Sequence, residues 1–387
     1  MAAVQFTHIV DFVIMMPLGP QLMRTLNINP TQFGVVVSAY TFSAAASGLI
    51  GAFFLDKYNR KSALLFLYIG FIVGTLLCAL STKFEFLVAA RIFTGAFGGL
   101  LGSSVMAIVG DAVPDARRGK AIGIVMGAFS LASVVGIPIG LVLANKFNWN
   151  APFYFLGALS LIIGIFLLKY MEDMSGHLER FNPKQKWYVA VSAVLQSPNQ
   201  RNALLLTFLL MSGHFIVFTF LSPYMVANVG FAENQLSLIY LVSGFFTFFS
   251  SPLIGKYTDK LGKKPVYIFF AVLILPMILL ITNLPRLPVP LVLVITSVFF
   301  IVIGGRVIPA TATVTATVEP QQRGSFMAFN ASVQQLGSGV AAFLAGTIVV
   351  KNDASGLYEH FEYVGYVAIA INILSIFVIT RIKTNSN

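Results

Sequence analysis

The chain contains 387 residues, of which 57% are hydrophobic and only 10% are charged. Soluble domains carry about 25% charged residues, so this composition excludes a water-soluble fold and indicates a membrane protein. The net charge of +11 would suit a nucleic-acid-binding protein. The basic residues lie mostly between apolar segments, however, where they act as a topology signal. We therefore expect the lipid bilayer, and no nucleic acid, as a partner.

Apolar segments long enough to cross a bilayer recur along the whole chain. About 20 consecutive apolar residues span the hydrocarbon core as a helix. The first segment lacks a preceding basic stretch and contains an aspartate, so we interpret it as a span and not as a signal peptide. The sequence predicts an all-α membrane protein with twelve transmembrane helices, at residues 2–24, 31–55, 62–81, 87–110, 121–144, 151–170, 203–227, 235–256, 265–283, 288–317, 325–350 and 362–380.

Lysine and arginine are distributed unequally between the two sides of this arrangement. If the N-terminus is cytoplasmic, eighteen of the 25 basic residues fall in inside loops or the C-terminal tail. Five fall in outside loops and two within spans. An excess of basic residues in cytoplasmic loops sets the orientation of membrane proteins. We therefore predict a multi-pass protein of a bacterial inner membrane, with both termini in the cytoplasm.

The first span carries an acid in the stretch "HIVDFVIMMPLGP". A carboxylate near the middle of a transmembrane helix costs about 2.5–3.5 kcal/mol on insertion scales. Helical spacing puts Gln5, His8 and Asp11 within an arc of about 120°. We expect this arc to face a water-filled cavity, with Asp11 carrying the proton and His8 lining the cavity. The alternative is that Asp11 is a structural partner between helices.

Two cytoplasmic loops place an acid beside basic residues just after a helix end, in "LDKYNRKS" and "GKYTDKLGKKP". Ion pairs between such groups can break and re-form as a transporter changes conformation, which biases one state against another. The alternative is a set of solvated charges that contribute little. We predict a cytoplasmic latch formed by Asp56, Arg60, Lys61, Asp259, Lys263 and Lys264.

Further polar residues lie within the other spans. Arg91, near the start of span four, either reaches the membrane interface or points inward. Arg306 in span ten lies deeper, so it should face an acid such as Asp11, bind an anionic substrate, or form a static pair between helices. His214 in span seven and Gln334 in span eleven are further candidates for the substrate cavity. Whether Asp11 pairs with Arg91 or with Arg306 stays open.

The second half of the chain repeats landmarks of the first half at an almost constant offset. Internal repeats of this size are typical of transporters, whose substrate site lies between the two halves. We predict a six-helix bundle at 1–170, a cytoplasmic loop at 171–202 and a second six-helix bundle at 203–387. The matched landmarks are Asp56 and Asp259, Pro114 and Pro320, and Gly119 and Gly324.

Four motifs resemble those of the major facilitator superfamily. The loop "GKYTDKLGKK" matches the family's loop motif, and the first-half copy "AFFLDKYNRK" departs from it at Ala52 and Asn59. "RIFTGAFGG" matches an Arg-x-x-x-Gly pattern in span four, and "GAFSLASVVGIPIG" resembles the antiporter motif of span five. The likeness is greatest to sugar-efflux and drug-efflux members of the drug:proton antiporter branch. The residues that carry the last two motifs are Arg91, Gly95, Gly127, Gly136, Pro138 and Gly140.

This resemblance implies two pseudo-symmetric six-helix bundles that expose a small-molecule site to each side of the membrane in turn. It also implies a role for Arg91 in proton coupling and for the motif glycines in close helix packing. No phosphate-binding loop and no metal-ligand spacing occur, so we expect no enzyme activity and no cofactor, with the proton gradient as the energy source.

The predicted function is therefore proton-coupled export of a drug, sugar or metabolite by a monomer. An importer or uniporter of the same fold is the alternative. A membrane receptor or scaffold without transport is disfavoured, because it has no need of charged residues inside its spans.

Overall fold

The computed structural model describes residues 1–55, 57–176, 178, 196–318 and 323–383. Its secondary structure is almost entirely helical. The first six predicted spans correspond to α1 (Ala2–Ile14) with α2 (Gly19–Leu26), α3 (Pro30–Leu55), α4 (Arg60–Ala79), α5 (Phe84–Ala112), α6 (Asp115–Leu131) with α7 (Ile137–Lys146), and α8 (Ala151–Tyr170).

The other six spans correspond to single long helices. These are α9 (Pro198–Tyr224), α10 (Leu236–Leu261), α11 (Lys263–Thr282), α12 (Val289–Thr315), α13 (Arg323–Ile348) and α14 (Phe361–Arg381). Two short strands, β1 (Val350–Lys351) and β2 (Tyr358–Glu359), form an antiparallel hairpin between α13 and α14. The predicted all-α membrane architecture is thus confirmed.

Ten helices in the described ranges are long and apolar enough to cross a membrane, and the bent pair α1 and α2 gives an eleventh span. The remaining long helix, α13, has 26 residues. It is more polar than the others because its middle carries Asn330, Gln334 and Gln335. It packs between α3 and α9, so much of this polar surface is covered by protein and not by lipid.

The first span is broken, which corrects the prediction of one continuous helix over residues 2–24. α1 and α2 meet at an angle of 58°. Pro17 lies in the break, and Pro20 lies in the first turn of α2. Proline has no backbone N–H and its ring clashes with the preceding turn, so the two prolines account for the break.

Two other spans contain a single π-helical turn beside a proline. Ala132–Gly136 joins α6 to α7 just before Pro138, and Met225–Val229 follows Pro223 at the end of α9. A π-turn widens the helix by one residue and leaves a local change of direction. Spans one, five and seven therefore contain ready bending points.

The bundle has two ends, which we name by their residues. At the terminal face, Arg60 pairs with Asp111 at 2.9 Å, and the Asn199 side chain binds the backbone of Lys383. The opposite face carries Arg24, Glu233 and the β1–β2 hairpin. The predicted topology makes the terminal face cytoplasmic, and this orientation stays a prediction.

The opposite face is closed by contacts between residues from the two halves of the chain. Arg24 forms an ion pair with Glu233, and the amide of Asn145 donates to the Glu233 carbonyl oxygen at 3.3 Å. The hydroxyl of Thr31 donates to the Gly346 carbonyl oxygen at 3.0 Å. These contacts seal one end of the pathway between the halves.

The hairpin reinforces this closure. The Asn228 side chain binds both the backbone oxygen and the backbone N–H of Tyr358. The Tyr358 hydroxyl then donates to the sulfur of Met23, at 3.7 Å. Burial raises the pKa of Tyr358 to about 12, so its hydroxyl keeps its proton at physiological pH and remains a donor.

The terminal face, in contrast, is open. A cavity of about 530 Å³ lies between Met126 of α6 and the last two turns of α12, with Lys263 at its edge. A Cβ added to Gly119, Gly123 or Gly127 on α6 would meet no atom within 4 Å. This surface of α6 therefore has free space beside it, as expected for a helix that borders an open cavity.

Closure of the opposite face depends on the crossing of α3 and α13. A Cβ on Gly34 would lie 2.8 Å from the Ala342 carbonyl oxygen and 3.0 Å from the Gly346 Cα. We expect Gly34→Leu to hold this face open, because its side chain has no room in the closed arrangement. Spin labels on Lys146→Cys and Arg286→Cys, both at exposed sites, should report a longer distance than in the parent protein.

The matched control is Gly123→Leu, whose added Cβ meets no atom within 4 Å. It should leave the label distance unchanged. An unchanged distance in Gly34→Leu would show that the two helices tolerate separation without opening the face.

Candidate transport site

The acid of span one lies in a buried ion pair. Nη1 of Arg91 is 2.9 Å from Oδ2 of Asp11, and neither side chain has any exposed surface. The hydroxyl of Thr75 donates to the other carboxylate oxygen at 3.0 Å. Three different helices, α1, α4 and α5, thus supply one charge-balanced cluster inside the first half of the chain.

This arrangement settles the alternatives for Arg91. α5 begins at Phe84, so Arg91 lies about two turns inside the helix and does not reach the interface. Its guanidinium carbon lies 4.3 Å from the centre of the Tyr40 ring, a distance at which a cation interacts with an aromatic face. Its Nε and Nη2 have no hydrogen-bond partner among the described residues.

The expected exposure of Asp11 to a water-filled cavity is not observed in this conformation. Sequence spacing identified the arc of α1 that carries Asp11, but α4 and α5 cover that arc. His8 is 8% exposed, and neither of its ring nitrogens has a partner within the described part of the chain. A Cβ at Gly98 would lie 2.3 Å from the Tyr40 hydroxyl and 3.3 Å from His8, so these two side chains converge on one glycine.

Aromatic rings connect this cluster to the second half of the chain. Tyr40 stacks on Phe12 with ring centres 5.4 Å apart, and Phe12 contacts Phe215 at the same separation. Phe215 in turn contacts Phe218 and the ring of His214. A line of rings therefore runs from the ion pair to α9, and the sequence analysis had identified only His214 in it.

Arg306 does not pair with Asp11, so the choice between Arg91 and Arg306 is decided in favour of Arg91. Arg306 is 1% exposed and lies in the second half, within electrostatic range of Tyr267 and His214. Gln334 is half-buried on α13, where its backbone oxygen accepts from Ser338. The proposed substrate contacts of these residues stay predictions.

The latch residues are placed as follows. Asp56 lies outside the described residues. Arg60 pairs with Asp111 at the end of α5, while the ammonium of Lys264 donates to the Thr380 carbonyl oxygen at 3.3 Å.

Within the described ranges, the remaining latch residues make no comparable side-chain contact. The Lys61 backbone N–H donates to the Asn59 side chain, and Lys263 borders the terminal cavity. Asp259 makes no salt bridge to another described residue. The latch therefore stays a prediction, with Asp111 as a partner that the sequence analysis missed.

The motif glycines mark close contacts between helices, except for one. A Cβ at Gly95 would lie 2.3 Å from the Tyr40 carbonyl oxygen, and one at Gly136 would lie 2.3 Å from Val10. At Gly140 it would lie 2.7 Å from Ile14, whereas at Gly127 it would meet no atom within 4 Å. Pro138 begins α7. Gly95 thus lets α3 approach α5 and brings Tyr40 over Arg91.

Comparison of the sequence with known protein families identifies the family of this chain. The sequence model of the Major Facilitator Superfamily matches residues 1–221 and again 203–386. The chain belongs to the Major Facilitator Superfamily. It is therefore a membrane transporter and not an enzyme, as the sequence predicted.

This chain is 28% identical over 392 residues to YceJ of Bacillus subtilis, an uncharacterized MFS-type transporter. The match covers 99% of this chain and 95% of YceJ. It is 24% identical over 259 residues to a probable sugar efflux transporter of Helicobacter pylori, covering 67% of this chain and 65% of the relative.

Solved structures share the fold at low sequence identity. A bacterial homologue of the lysosomal transporter Spinster, in an inward-facing and unoccupied conformation, gives a TM-score of 0.75 at 16% identity, covering 100% of this chain and 97% of that one. The nucleoside transporter NupG gives 0.76 at 15% identity, with 98% of each chain covered. The predicted superfamily fold is thus confirmed.

The contribution of the Asp11–Arg91 pair to the stability of the folded protein can be tested by substitution. Removal of one partner of a buried ion pair leaves an uncompensated charge, which costs about 3–5 kcal/mol. We expect Arg91→Gln to destabilise the protein by about that much. The double variant Asp11→Asn, Arg91→Gln should be clearly more stable than Arg91→Gln alone, since it removes both charges. Unfolding in detergent, monitored by intrinsic fluorescence, measures both.

Arg381→Gln, at an exposed position, is the matched control and should change stability by less than about 0.5 kcal/mol. A double variant no more stable than Arg91→Gln alone would mean that the two charges do not stabilise each other.

Proposed function

We propose that this transporter exports a small organic molecule in exchange for protons, and that Asp11 is the residue that carries the proton. The single observation behind this proposal is the fully buried pair of Asp11 and Arg91. Well-packed apolar residues often stabilise a protein as well as a buried ion pair does. A pair inside a membrane span is therefore better explained by function than by stability, and intramembrane acids commonly belong to proton pathways.

Proton binding would change the balance of charge in this cluster. The ionised carboxylate accepts hydrogen bonds from Arg91 and Thr75. A proton on Asp11 cancels its charge and removes the attraction to Arg91. The guanidinium, still in contact with Tyr40, is then free to change its position.

The line of rings offers a route from this event to the contact between halves. Tyr40 stacks on Phe12, and Phe12 contacts Phe215 of α9. A shift of Arg91 that moves Tyr40 therefore disturbs a contact between the two halves. In this way proton binding would favour one conformation over the other, as differential binding requires.

The closed opposite face and the open terminal cavity support an alternating-access cycle. With both termini in the cytoplasm, as the basic loops predict, the structure corresponds to an inward-open state. The substrate would then enter from the cytoplasm beside α6 and α12. We assign the predicted cavity residues His8, His214 and Gln334 to its path.

The direction of transport is supported by relatives whose names describe sugar efflux. An importer or a uniporter of the same fold would share the architecture, and the two differ from an exporter in their response to a proton gradient. The same flux measurement therefore separates all three.

We expect Asp11→Asn to abolish accumulation driven by a pH gradient, because the amide cannot exchange a proton. Counterflow of substrate at equal pH should survive, since it requires no net proton movement. Accumulation would be measured with purified protein in proteoliposomes and a panel of labelled sugars, nucleosides and drugs. The matched control is Asp353→Asn, which changes an acid in an exposed loop. Accumulation by Asp11→Asn at the parent rate would show that Asp11 is structural.

A further inference from the structure

The second half of the chain contains a buried cation that has no counter-ion among the described residues. Arg306 is 1% exposed, and its Nε and Nη1 have no hydrogen-bond partner among the residues that the structure describes. The guanidinium does not lose its proton in proteins. A buried charge is tolerated only when it is paired and hydrogen-bonded. The described surroundings of Arg306 supply neither a counter-ion nor partners for these two nitrogens.

The sequence places no acid in the middle of a predicted span of the second half, where Arg306 lies. Every Asp and Glu after residue 202 lies at the end of a predicted span or between spans, and none lies in the middle of one. The only acid deep in a span of the first half is Asp11, which is already paired with Arg91. The acids of the second half are Glu233, Asp259, Glu319, Asp353, Glu359 and Glu362.

The neighbours of Arg306 are neutral polar groups. Tyr267 and His214 lie within electrostatic range of the guanidinium. The Tyr267 hydroxyl donates to Ser375 at 2.7 Å, which leaves its oxygen free to accept. Neither of these side chains carries a negative charge that could balance the guanidinium.

The position of Arg306 along α12 relates it to the open cavity. The residues of α12 that line the cavity begin with Val307 and Ile308, directly after Arg306. A solute that fills the cavity to its inner end therefore comes level with Arg306. At 100° per residue, Arg306 lies on the side of α12 away from these lining residues, so contact with the solute requires a change in the packing of α12.

We propose that Arg306 forms an anion-binding site inside the second half, which takes a carboxylate or a small inorganic anion. The anion is either the acidic group of the transported molecule, in which case the proposal rests on the transport function above, or a halide such as chloride from solution. Both sources supply the negative charge that the chain lacks at this position.

The test measures anion binding to purified protein in detergent, without a membrane or a proton gradient. Protein would be held in a buffer whose only anion is bulky, such as isethionate, and titrated with sodium chloride. In parallel it would be titrated with a metabolite panel of matched pairs, each a carboxylic acid with its neutral amide. The readout is the change in Tm as a function of ligand concentration.

We expect a saturable rise in Tm with chloride, or with an acid but not with its amide. Arg306→Gln should raise the apparent Kd at least about tenfold, because a hydrogen bond to a charged group is lost. Arg306→Lys, which keeps the charge but loses the planar fork, should bind more weakly than the parent and more tightly than Arg306→Gln. Arg286→Gln, at an exposed position, is the matched control and should bind as the parent does.

The chloride and acid titrations identify the source of the anion. Saturation with chloride alone assigns an inorganic ion, and saturation with acids alone assigns the substrate. The proposal is overturned if neither saturates for the parent protein, or if Arg306→Lys and Arg306→Gln both bind as the parent does. The anion-binding measurement involves no proton gradient. A negative result in it therefore does not bear on the role of Asp11, and a negative result for Asp11 in the flux measurement does not bear on the anion site.

Discussion

The attraction between one carboxylate and one guanidinium in a low-dielectric interior organises the first half of this protein. Asp11 on α1 and Arg91 on α5 could not both remain charged in that environment without each other. Their pairing fixes how α1 sits against α5, and Thr75 adds α4 to the same point. The close approach of α3 at Gly95 brings Tyr40 over the guanidinium. Four helices are thus held in register by one charge pair.

Besides the close packing of α3 on α13, side chains of the two halves meet in polar and in aromatic contacts. At the opposite face they are polar and lie near the surface, as in Arg24 with Glu233. Near the ion pair they are aromatic, as in Phe12 with Phe215. Polar surface contacts exchange readily with water, so they can open at small cost. Aromatic contacts can slide without losing their burial, which suits a surface about which two bundles rock.

Much of the fold followed from the sequence, because a membrane leaves little choice of structure for long apolar segments. The break in span one was missed, although Pro17 and Pro20 were visible, because hydropathy measures composition and not backbone geometry. The pairing of Asp11 was left open between Arg91 and Arg306, since helical spacing fixes the side of a helix and not the neighbour that packs there. For the same reason the burial of Asp11 was not foreseen.

The buried charges within the described spans are not balanced. Asp11 and Arg91 cancel, and Arg306 leaves one positive charge deep in the second half. A charge that moves across the full membrane potential gains or loses about 2.3 kcal/mol per 100 mV. Any rocking of the two bundles that carries Arg306 along the membrane normal is therefore electrical work. The voltage across the membrane consequently acts on the protein as well as on whatever it carries, and a charge bound beside Arg306 would reduce that effect.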